Sequence, residues 1–188
     1  ETHLISLKNN NFQSYHMADI PMLMSTKTQG KTIIVTFDDG YEDFYTYAYP
    51  LLKKYQMKAT IYVISEFLDR KDYLTTQQLL ELSKDPLIEI GAHTTTHEKL
   101  NTLPPEKQQD EISNSKKELE QITNKPINTF AYPFGDYNDT SIEIVKKAGF
   151  TTAVSVIPGT FQTPQNIFTL RRIRAGVFAT KDIVSTLN

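Results

Sequence analysis

Residues 32–40 read Thr-Ile-Ile-Val-Thr-Phe-Asp-Asp-Gly, an apolar run that ends in two adjacent carboxylates and a glycine. The first six residues are typical of a buried strand, because the run is short and rich in β-branched side chains. An amphipathic pattern from about Glu42 to Tyr55 then predicts a helix, although Pro50 weakens the prediction for its middle. Since a helix and not a second strand follows, the Asp-Gly pair is not predicted to be a hairpin turn.

The rest of the chain alternates in the same way. Further strands are predicted over 59–64, 87–90, 127–132, 151–157 and 168–173, and further helices over 2–10, 75–83, 104–123, 140–148 and 181–187. This alternation indicates βαβ units and a largely parallel sheet, either as a barrel or as a doubly wound sheet. The chain is therefore predicted to be α/β. Its 188 residues contain no repeat or linker-like stretch, which predicts a single domain over 1–188.

Composition excludes several classes of function. The chain has no cysteine, so disulfides, thiolate nucleophiles and cysteine-ligated zinc are excluded. Its 20 basic and 22 acidic residues argue against a nucleic-acid partner held by bulk positive charge. No apolar run approaches the ~20 residues of a transmembrane helix, so no transmembrane segment is predicted in this chain. Histidine chemistry has only four candidates, His3, His16, His93 and His97.

Three polar clusters follow predicted strands directly. They occupy residues 38–40, 93–97 and 132–137. In a parallel barrel or an open parallel sheet, the loops after the strands lie on one face, and this face carries the active sites of such folds. The three clusters are therefore predicted to form one site.

The first two clusters indicate a metal site. Asp38 and Asp39 are costly to hold together unless a cation or a proton relieves their repulsion, which suggests a metal ligand beside a general base. His93 and His97 have the spacing that brings two imidazoles together on a helix, and a loop or first turn can give the same convergence. Asp39 with the two histidines makes a three-ligand site with open positions, as catalytic zinc requires.

These two clusters and the segment Phe-Ala-Tyr-Pro-Phe-Gly at 130–135 resemble the polysaccharide deacetylases, the NodB-homology enzymes of carbohydrate esterase family 4. Within the family, the third segment is similar to the branch of biofilm poly-N-acetylglucosamine and cell-envelope deacetylases. The resemblance implies a distorted (β/α) barrel of about seven parallel strands. It also implies that the chain begins after the start of the complete barrel, so that part of the barrel lies upstream of Glu1.

The resemblance assigns a role to each matching residue. Asp38 is implied to be the general base with metal-bound water as the nucleophile, and Asp39, His93 and His97 are implied to be the metal ligands. The main-chain N–H of Phe134 is implied to stabilise the oxyanion. The metal is expected to be divalent, with zinc first and cobalt, nickel or iron as alternatives.

The chain departs from the family pattern at the group that braces the base. Ala131 stands at the position where much of the family has an arginine that braces the catalytic base. Three of the four arginines, Arg171, Arg172 and Arg174, lie at the end of a predicted strand. We hypothesise that Arg172 faces Asp38 and replaces the missing arginine, the alternative being a solvated basic strand end.

The general acid and the sugar-binding residues are less well marked. The family's late histidine is absent, so the proton donor is His16, a residue upstream of Glu1, or none. Tyr132 and Tyr137 are candidates for substrate binding, since aromatic rings stack on sugars. The alternative for most aromatic residues is packing between helices and sheet.

The resemblance implies removal of N-acetyl groups from a polysaccharide that contains N-acetylglucosamine, namely poly-N-acetylglucosamine, peptidoglycan or a chitin-like polymer. It also implies an extracytoplasmic location, secreted or associated with the cell envelope. The alternatives are an O-acetyl esterase of the xylan type and a glycan-binding module with weak or no catalysis.

Overall fold

The computed structural model describes residues 1–26, 30–178 and 183–187. In these residues strands alternate with helices along the chain. The strands are β1 Phe12–Tyr15, β2 Lys31–Phe37, β3 Ala59–Val63, β4 Ile88–Ala92, β5 Thr129–Ala131, β6 Thr152–Pro158 and β7 Leu170–Arg172. The α-helices are α1 Thr2–Asn9, α2 Ile20–Ser25, α3 Tyr49–Tyr55, α4 Thr76–Lys84, α5 Pro105–Thr123 and α6 Asp139–Lys147.

The strands form one seven-stranded sheet in the order β1-β2-β3-β4-β5-β6-β7. Every neighbouring pair is parallel. Among the described residues no hydrogen-bonded pairing joins β7 to β1, so hydrogen bonds do not close the sheet. The predicted α/β class with seven parallel strands is confirmed.

Several predicted elements differ from those observed. The strand predicted over 168–173 is limited to β7, and neither β1 nor α2 was predicted. The helix predicted over 181–187 begins outside the described residues, which include a 3₁₀ turn at Ile183–Thr186.

The helix predicted over 42–55 is divided at the proline. A π-helical turn spans Phe44–Ala48, and the N–H of Tyr49 donates to the carbonyl of Phe44 five residues earlier. Pro50 then lies in the first turn of α3, where its missing N–H costs no helical hydrogen bond. The wider turn thus allows the chain to remain helical through a residue that breaks a regular α-helix.

Side chains alternate between two cores along the strands. Ile61 and Val63 of β3 pack outward in the layer between sheet and helices, whereas Tyr62 packs inward with Ala131 and Val154. The tyrosine ring fills the space above Gly91, where an added Cβ would lie 2.5 Å from its Cδ1 atom. Tyr62, Ala131 and Val154 therefore belong to one inner core, which is tightly packed at Gly91.

The end of the interior opposite these loops is closed by the chain between β1 and α2. Met17 and Ile20 are buried in the inner core. The carboxylate of Glu89 accepts hydrogen bonds from the N–H of Met17 at 2.8 Å and of Ala18 at 3.2 Å, and from the hydroxyl of Thr60 at 2.6 Å. Burial raises the pKa of Glu89 even though these donors oppose the shift. Among the described residues, this segment thus covers the end of the interior that lies opposite the polar loops.

No helix in the described part of the chain combines the length and apolar character needed to cross a membrane.

Candidate active site

The carboxyl ends of four strands bring the predicted site residues together. Asp38 and Asp39 follow β2, His93 follows β4, Phe134 lies in the turn after β5, and Arg172 ends β7. Because parallel strands end at the same edge of the sheet, residues far apart in sequence share one face. The structure therefore brings the three polar clusters to the same mouth of the interior, as the sequence predicts.

Asp39, His93 and His97 form a compact group of potential ligands. Oδ1 of Asp39 lies 3.2 Å from Nε2 of His93 and 3.2 Å from Nε2 of His97. One ligand atom from each residue lies within 4.8 Å of the other two. A tetrahedral zinc ion with bonds of about 2.0–2.2 Å sets its ligand atoms roughly 3.3–3.5 Å apart. The two distances from Asp39 to the histidines are close to this spacing, so the three side chains fit a divalent metal.

The surroundings of these side chains favour metal binding. Nδ1 of His93 lies 2.7 Å from the carbonyl oxygen of Ala131, which selects the tautomer with Nε2 free to bind a metal. Burial works against ionisation of Asp39, but the close contacts of its carboxylate with the imidazoles of His93 and His97 hold the pKa of that carboxyl well below its usual range. Asp39 is thus the ionised carboxylate that a metal ligand must be. His93 is buried, whereas Asp39 and His97 are half-buried, so the group is open on one side.

The backbone is strained at four site residues. Asp39, Thr94, His97 and Phe134 have φ angles of 74°, 64°, 65° and 58°, in the left-handed region that disfavours side chains. The hydroxyl of Thr94 donates to the carbonyl of His93 at 2.6 Å and accepts from the N–H of His97 at 3.0 Å. Thr94 therefore fixes the turn that brings the two histidines together, on a loop and not on a helix.

Glu111 of α5 holds the same loop from outside, a role that was not predicted from the sequence. Its carboxylate accepts hydrogen bonds from the N–H of Thr95 at 3.1 Å, the N–H of Thr96 at 2.9 Å and the hydroxyl of Thr96 at 2.6 Å. The threonine run offered a signal, since its polar groups need a partner if the loop is buried. It did not indicate which helix supplies this partner.

Asp38 is paired with Arg172. Nη1 and Nη2 of Arg172 donate to the two carboxylate oxygens of Asp38 at 2.7 and 2.8 Å. Arg172 also donates from Nε to the carbonyl of Ser155 at 2.9 Å and from Nη1 to the hydroxyl of Thr36 at 3.2 Å. The hydrogen bond to Asp38 and its negative charge raise the pKa of Arg172 against the effect of burial. The arginine therefore faces Asp38 as hypothesised, and its role in catalysis stays a prediction.

Phe134 contributes a backbone N–H to the turn after β5 and a ring that packs against the metal group. None of the described residues accepts a hydrogen bond from its N–H, although the next two N–H groups bond to Tyr132 and Pro133. Its ring lies 4.6 Å from the ring of His97 and is 52% exposed. The free N–H is available for an oxyanion, which remains a prediction.

The prediction that Tyr132 binds substrate is wrong. Its side chain is fully buried against Phe130 and Tyr137, with ring centroids 5.3 and 4.8 Å away. Burial raises the pKa of its hydroxyl, which has no hydrogen-bond partner among the described residues. The side chain belongs to the outer core, because Tyr132 continues the outward face that Phe130 starts. Tyr137 is half-buried and packs against the ring of Tyr132. Its role in substrate binding stays a prediction.

His16 is not placed to act as the general acid. It follows β1 and lines a cavity with Pro86, Ile88 and Glu89, at the strand ends opposite Asp38. Burial lowers the pKa of His16. Of the three alternatives for the proton donor, His16 is therefore contradicted, because the parallel register sets it several residues below the polar loops.

Comparison with known proteins supports this geometry. The family model described as polysaccharide deacetylase matches residues 25–153. YxkH of Bacillus subtilis, which is named in the same family, is 35% identical over 176 residues and is matched by 93% of this chain. A poly-β-1,6-N-acetyl-D-glucosamine N-deacetylase of Staphylococcus aureus is 30% identical in an alignment of 141 positions that covers 67% of this chain. The chain spans 63% of the length of YxkH and 48% of that of the S. aureus protein.

Among solved structures, the deacetylase PplD of Streptococcus pyogenes in complex with acetate superposes with a TM-score of 0.93. It is 28% identical to this chain, and the match covers 100% of this chain and 84% of PplD. The seven-stranded architecture described above is thus shared with a deacetylase over the whole of the present chain.

Proposed function

The chain belongs to the polysaccharide deacetylase family, and from this premise we propose that it hydrolyses N-acetyl groups of a polysaccharide that contains N-acetylglucosamine. One observation carries the proposal most directly. The Asp38 carboxylate, held by two hydrogen bonds from Arg172, stands beside a three-residue group that fits a divalent metal. This combination supplies a base and an electrophilic centre at the same mouth of the interior. The relative from S. aureus, named for poly-N-acetylglucosamine, supports the choice of sugar.

The residues of the chain divide the reaction between them. A divalent cation, zinc by preference and otherwise cobalt, nickel or iron, would be held by Asp39, His93 and His97 and would supply Lewis acidity. Asp38 accepts the proton of the attacking water while Arg172 keeps its carboxylate in place. The N–H of Phe134 donates to the oxygen of the acetyl group as that oxygen gains charge.

The second half of the reaction needs a proton donor. The carbon–nitrogen bond breaks to give acetate and a free amine, and the leaving nitrogen takes up a proton. We assign this proton to Asp38, which has just received one, since His16 lies at the opposite end of the strands. Asp38 thus acts first as the base and then as the acid, so the pH profile of the reaction does not require the ionisation of a second side chain.

The proposed substrate also indicates where the protein acts. Polymers of N-acetylglucosamine in biofilms and cell walls lie outside the cytoplasm, so we propose an extracytoplasmic enzyme, secreted or associated with the cell envelope.

Acetate release tests this function. Oligomers of β-1,6-linked N-acetylglucosamine, chitin oligomers and peptidoglycan fragments are incubated with metal-free protein, and zinc is then added. We expect zinc-dependent release of acetate from at least one of these substrates, and loss of this release in Asp38→Asn while calorimetry shows that zinc still binds. Acetylated xylan is the fourth substrate, and release from it alone would establish an O-acetyl esterase. Sugar binding without acetate release in zinc, cobalt, nickel or iron would establish a non-catalytic module.

A further inference from the structure

A stacked pair of tyrosines lies beside the metal group and has no part in the reaction described above. The rings of Tyr41 and Tyr73 are 4.9 Å apart at an angle of 29°. Tyr41 is 42% exposed and follows the ligand Asp39 by two positions. An aromatic surface of this size at the mouth of the interior needs an explanation, because large apolar side chains are usually buried.

The pair is held rigidly by the backbone. Tyr41 and Tyr73 form an antiparallel bridge between the loop after β2 and the loop before α4. On either side of it, the N–H of Glu42 donates to the carbonyl of Asp72 at 3.0 Å and the N–H of Leu74 to that of Gly40 at 2.9 Å. A ring fixed in this way loses little conformational entropy when a ligand binds.

A second contact joins the pair to the histidine loop. The ring of Phe67 packs edge-on against Tyr73 at 5.0 Å. In the same turn, the N–H of Ser65 donates to the carbonyl of Thr94 at 3.2 Å, and the N–H of Glu66 donates to that of Thr95 at 3.1 Å. The tyrosine pair and the metal group therefore share one rigid frame, and their separation is fixed.

Polar groups surround the aromatic surface. The guanidinium of Arg70 lies 4.2 Å above the ring of Phe67 and 4.0 Å from the carboxylate of Glu66. A flat apolar face with donors and acceptors at its rim matches a pyranose ring, which has C–H bonds on its faces and hydroxyls at its edge.

We infer that the Tyr41–Tyr73 pair is a sugar-binding subsite, which stacks on a pyranose ring adjacent to the sugar that loses its acetyl group. The inference rests on the proposed function and adds to it: the enzyme recognises a polymer and not a single N-acetylglucosamine unit. The subsite lies on the Asp39 side of the metal group, whereas the exposed Phe134 ring lies on the His97 side. The glycan chain then crosses the mouth with the metal group between two aromatic surfaces.

The test compares a long substrate with a short one. The kcat/KM for an N-acetylglucosamine tetrasaccharide is divided by the kcat/KM for 4-nitrophenyl acetate, which is too small to span both the metal group and the subsite. In Tyr41→Ala and Tyr73→Ala we expect this ratio to fall about tenfold, which corresponds to ~1.4 kcal/mol. Tyr41→Phe keeps the flat ring and should keep the ratio within about twofold. Tyr47→Ala, which removes a tyrosine 71% exposed on the π-helical turn, is the matched control and should not change the ratio.

A loss of folding is separated from a loss of binding by Tyr41→Leu. Leucine keeps apolar bulk at the bridge but offers no flat face, so the ratio should fall as in Tyr41→Ala. An unchanged ratio in Tyr41→Leu and Tyr73→Ala, with the wild type active on the tetrasaccharide, overturns the subsite and leaves the deacetylase standing. If the wild type releases acetate from 4-nitrophenyl acetate and from no glycan, the proposed function fails instead, and the subsite fails with it.

Discussion

The pairing of Arg172 with Asp38 makes the most specific prediction for catalysis. Arg172→Lys should lower kcat for acetate release by about 10–100-fold and should leave KM within about threefold. Lysine keeps the charge but can reach only one of the two carboxylate oxygens, which now accept hydrogen bonds of 2.7 and 2.8 Å. A hydrogen bond to a charged group contributes about 1.5–3 kcal/mol net, and the partial exposure of Asp38 attenuates it. A loss of ~1.4–2.8 kcal/mol in the transition state corresponds to the stated range.

The assay is steady-state acetate release at saturating zinc, with thermal unfolding measured on each variant. Arg171→Lys is the matched control, since the side chain of the neighbouring Arg171 is exposed and its guanidinium donates, among the described residues, a single hydrogen bond of 3.4 Å to the carbonyl of Pro158. If Arg172 acts through Asp38, the double variant Arg172→Lys/Asp38→Asn should be no slower than Asp38→Asn alone. Unfolding temperatures separate this effect from the loss of the bond to Ser155, which also ties β7 to β6.

Two results would refute the reasoning. A further drop in kcat when Arg172→Lys is added to Asp38→Asn would show that the arginine acts on the substrate and not through the base. A rise in KM at unchanged kcat would show that it contributes uniform binding.

Three further predictions concern the interior, the far end of the strands and the histidine loop. Gly91→Ala should lower the free energy of unfolding by about 1–3 kcal/mol, because the new Cβ would overlap the Tyr62 ring. Denaturant titration measures this change. Gly176→Ala is the control, since nothing lies within 4 Å of its Cβ position. His16→Gln should gain stability relative to the wild type as the pH falls below about 6.5. The pKa of His16 is lowered in the folded state, so the unfolded wild type binds a proton first and its folded state loses stability in that range; unfolding temperatures from pH 7.5 to 5 measure this. Glu111→Ala should weaken zinc binding about tenfold, because the loop loses three hydrogen bonds; calorimetry measures this.

Each of these predictions has a contrary outcome. Equal stability of Gly91→Ala and Gly176→Ala would show that the interior has room above the glycine. Unfolding temperatures of His16→Gln and the wild type that fall in parallel from pH 7.5 to 5 would show that burial of this imidazole does not couple its protonation to folding. Unaltered zinc affinity in Glu111→Ala would show that the left-handed turn holds the histidines without help from α5.

The sequence was sufficient to predict the elements that carry strong patterns. The β-branched run of β2 and the polar groups that follow it predicted both a parallel sheet and a common site at its edge. Asp39, His93 and His97 were found because strand ends in parallel sheets converge. Arg172 was found by elimination among few arginines, once Ala131 was seen in place of the usual brace.

The remaining features depend on information that no local pattern contains. Strand β1 is only four residues long and includes Gln13 and Ser14, so its apolar content is too low to indicate a strand. Tyr132 was assigned to substrate binding because it is aromatic and follows a predicted strand. Which face its side chain occupies depends on where the three-residue strand β5 begins, and the sequence does not mark that point. Glu111 acts on a loop some 15 residues away in sequence, and its partners are backbone groups, which every residue has.

The left-handed residues of the site have a consequence for how this protein can change. Asp39, Thr94, His97 and Phe134 each occupy a conformation that glycine adopts freely, at a cost of about 1–3 kcal/mol apiece. The sum is comparable with the 5–15 kcal/mol that separates a typical folded domain from its unfolded state. Substitutions that stabilise the fold are therefore available at the very positions where they remove a metal ligand or reshape the loop that carries one. A chain released from selection for activity should drift toward glycine or asparagine there, and loss of strain at these four residues would be an early sign that a relative has ceased to be an enzyme.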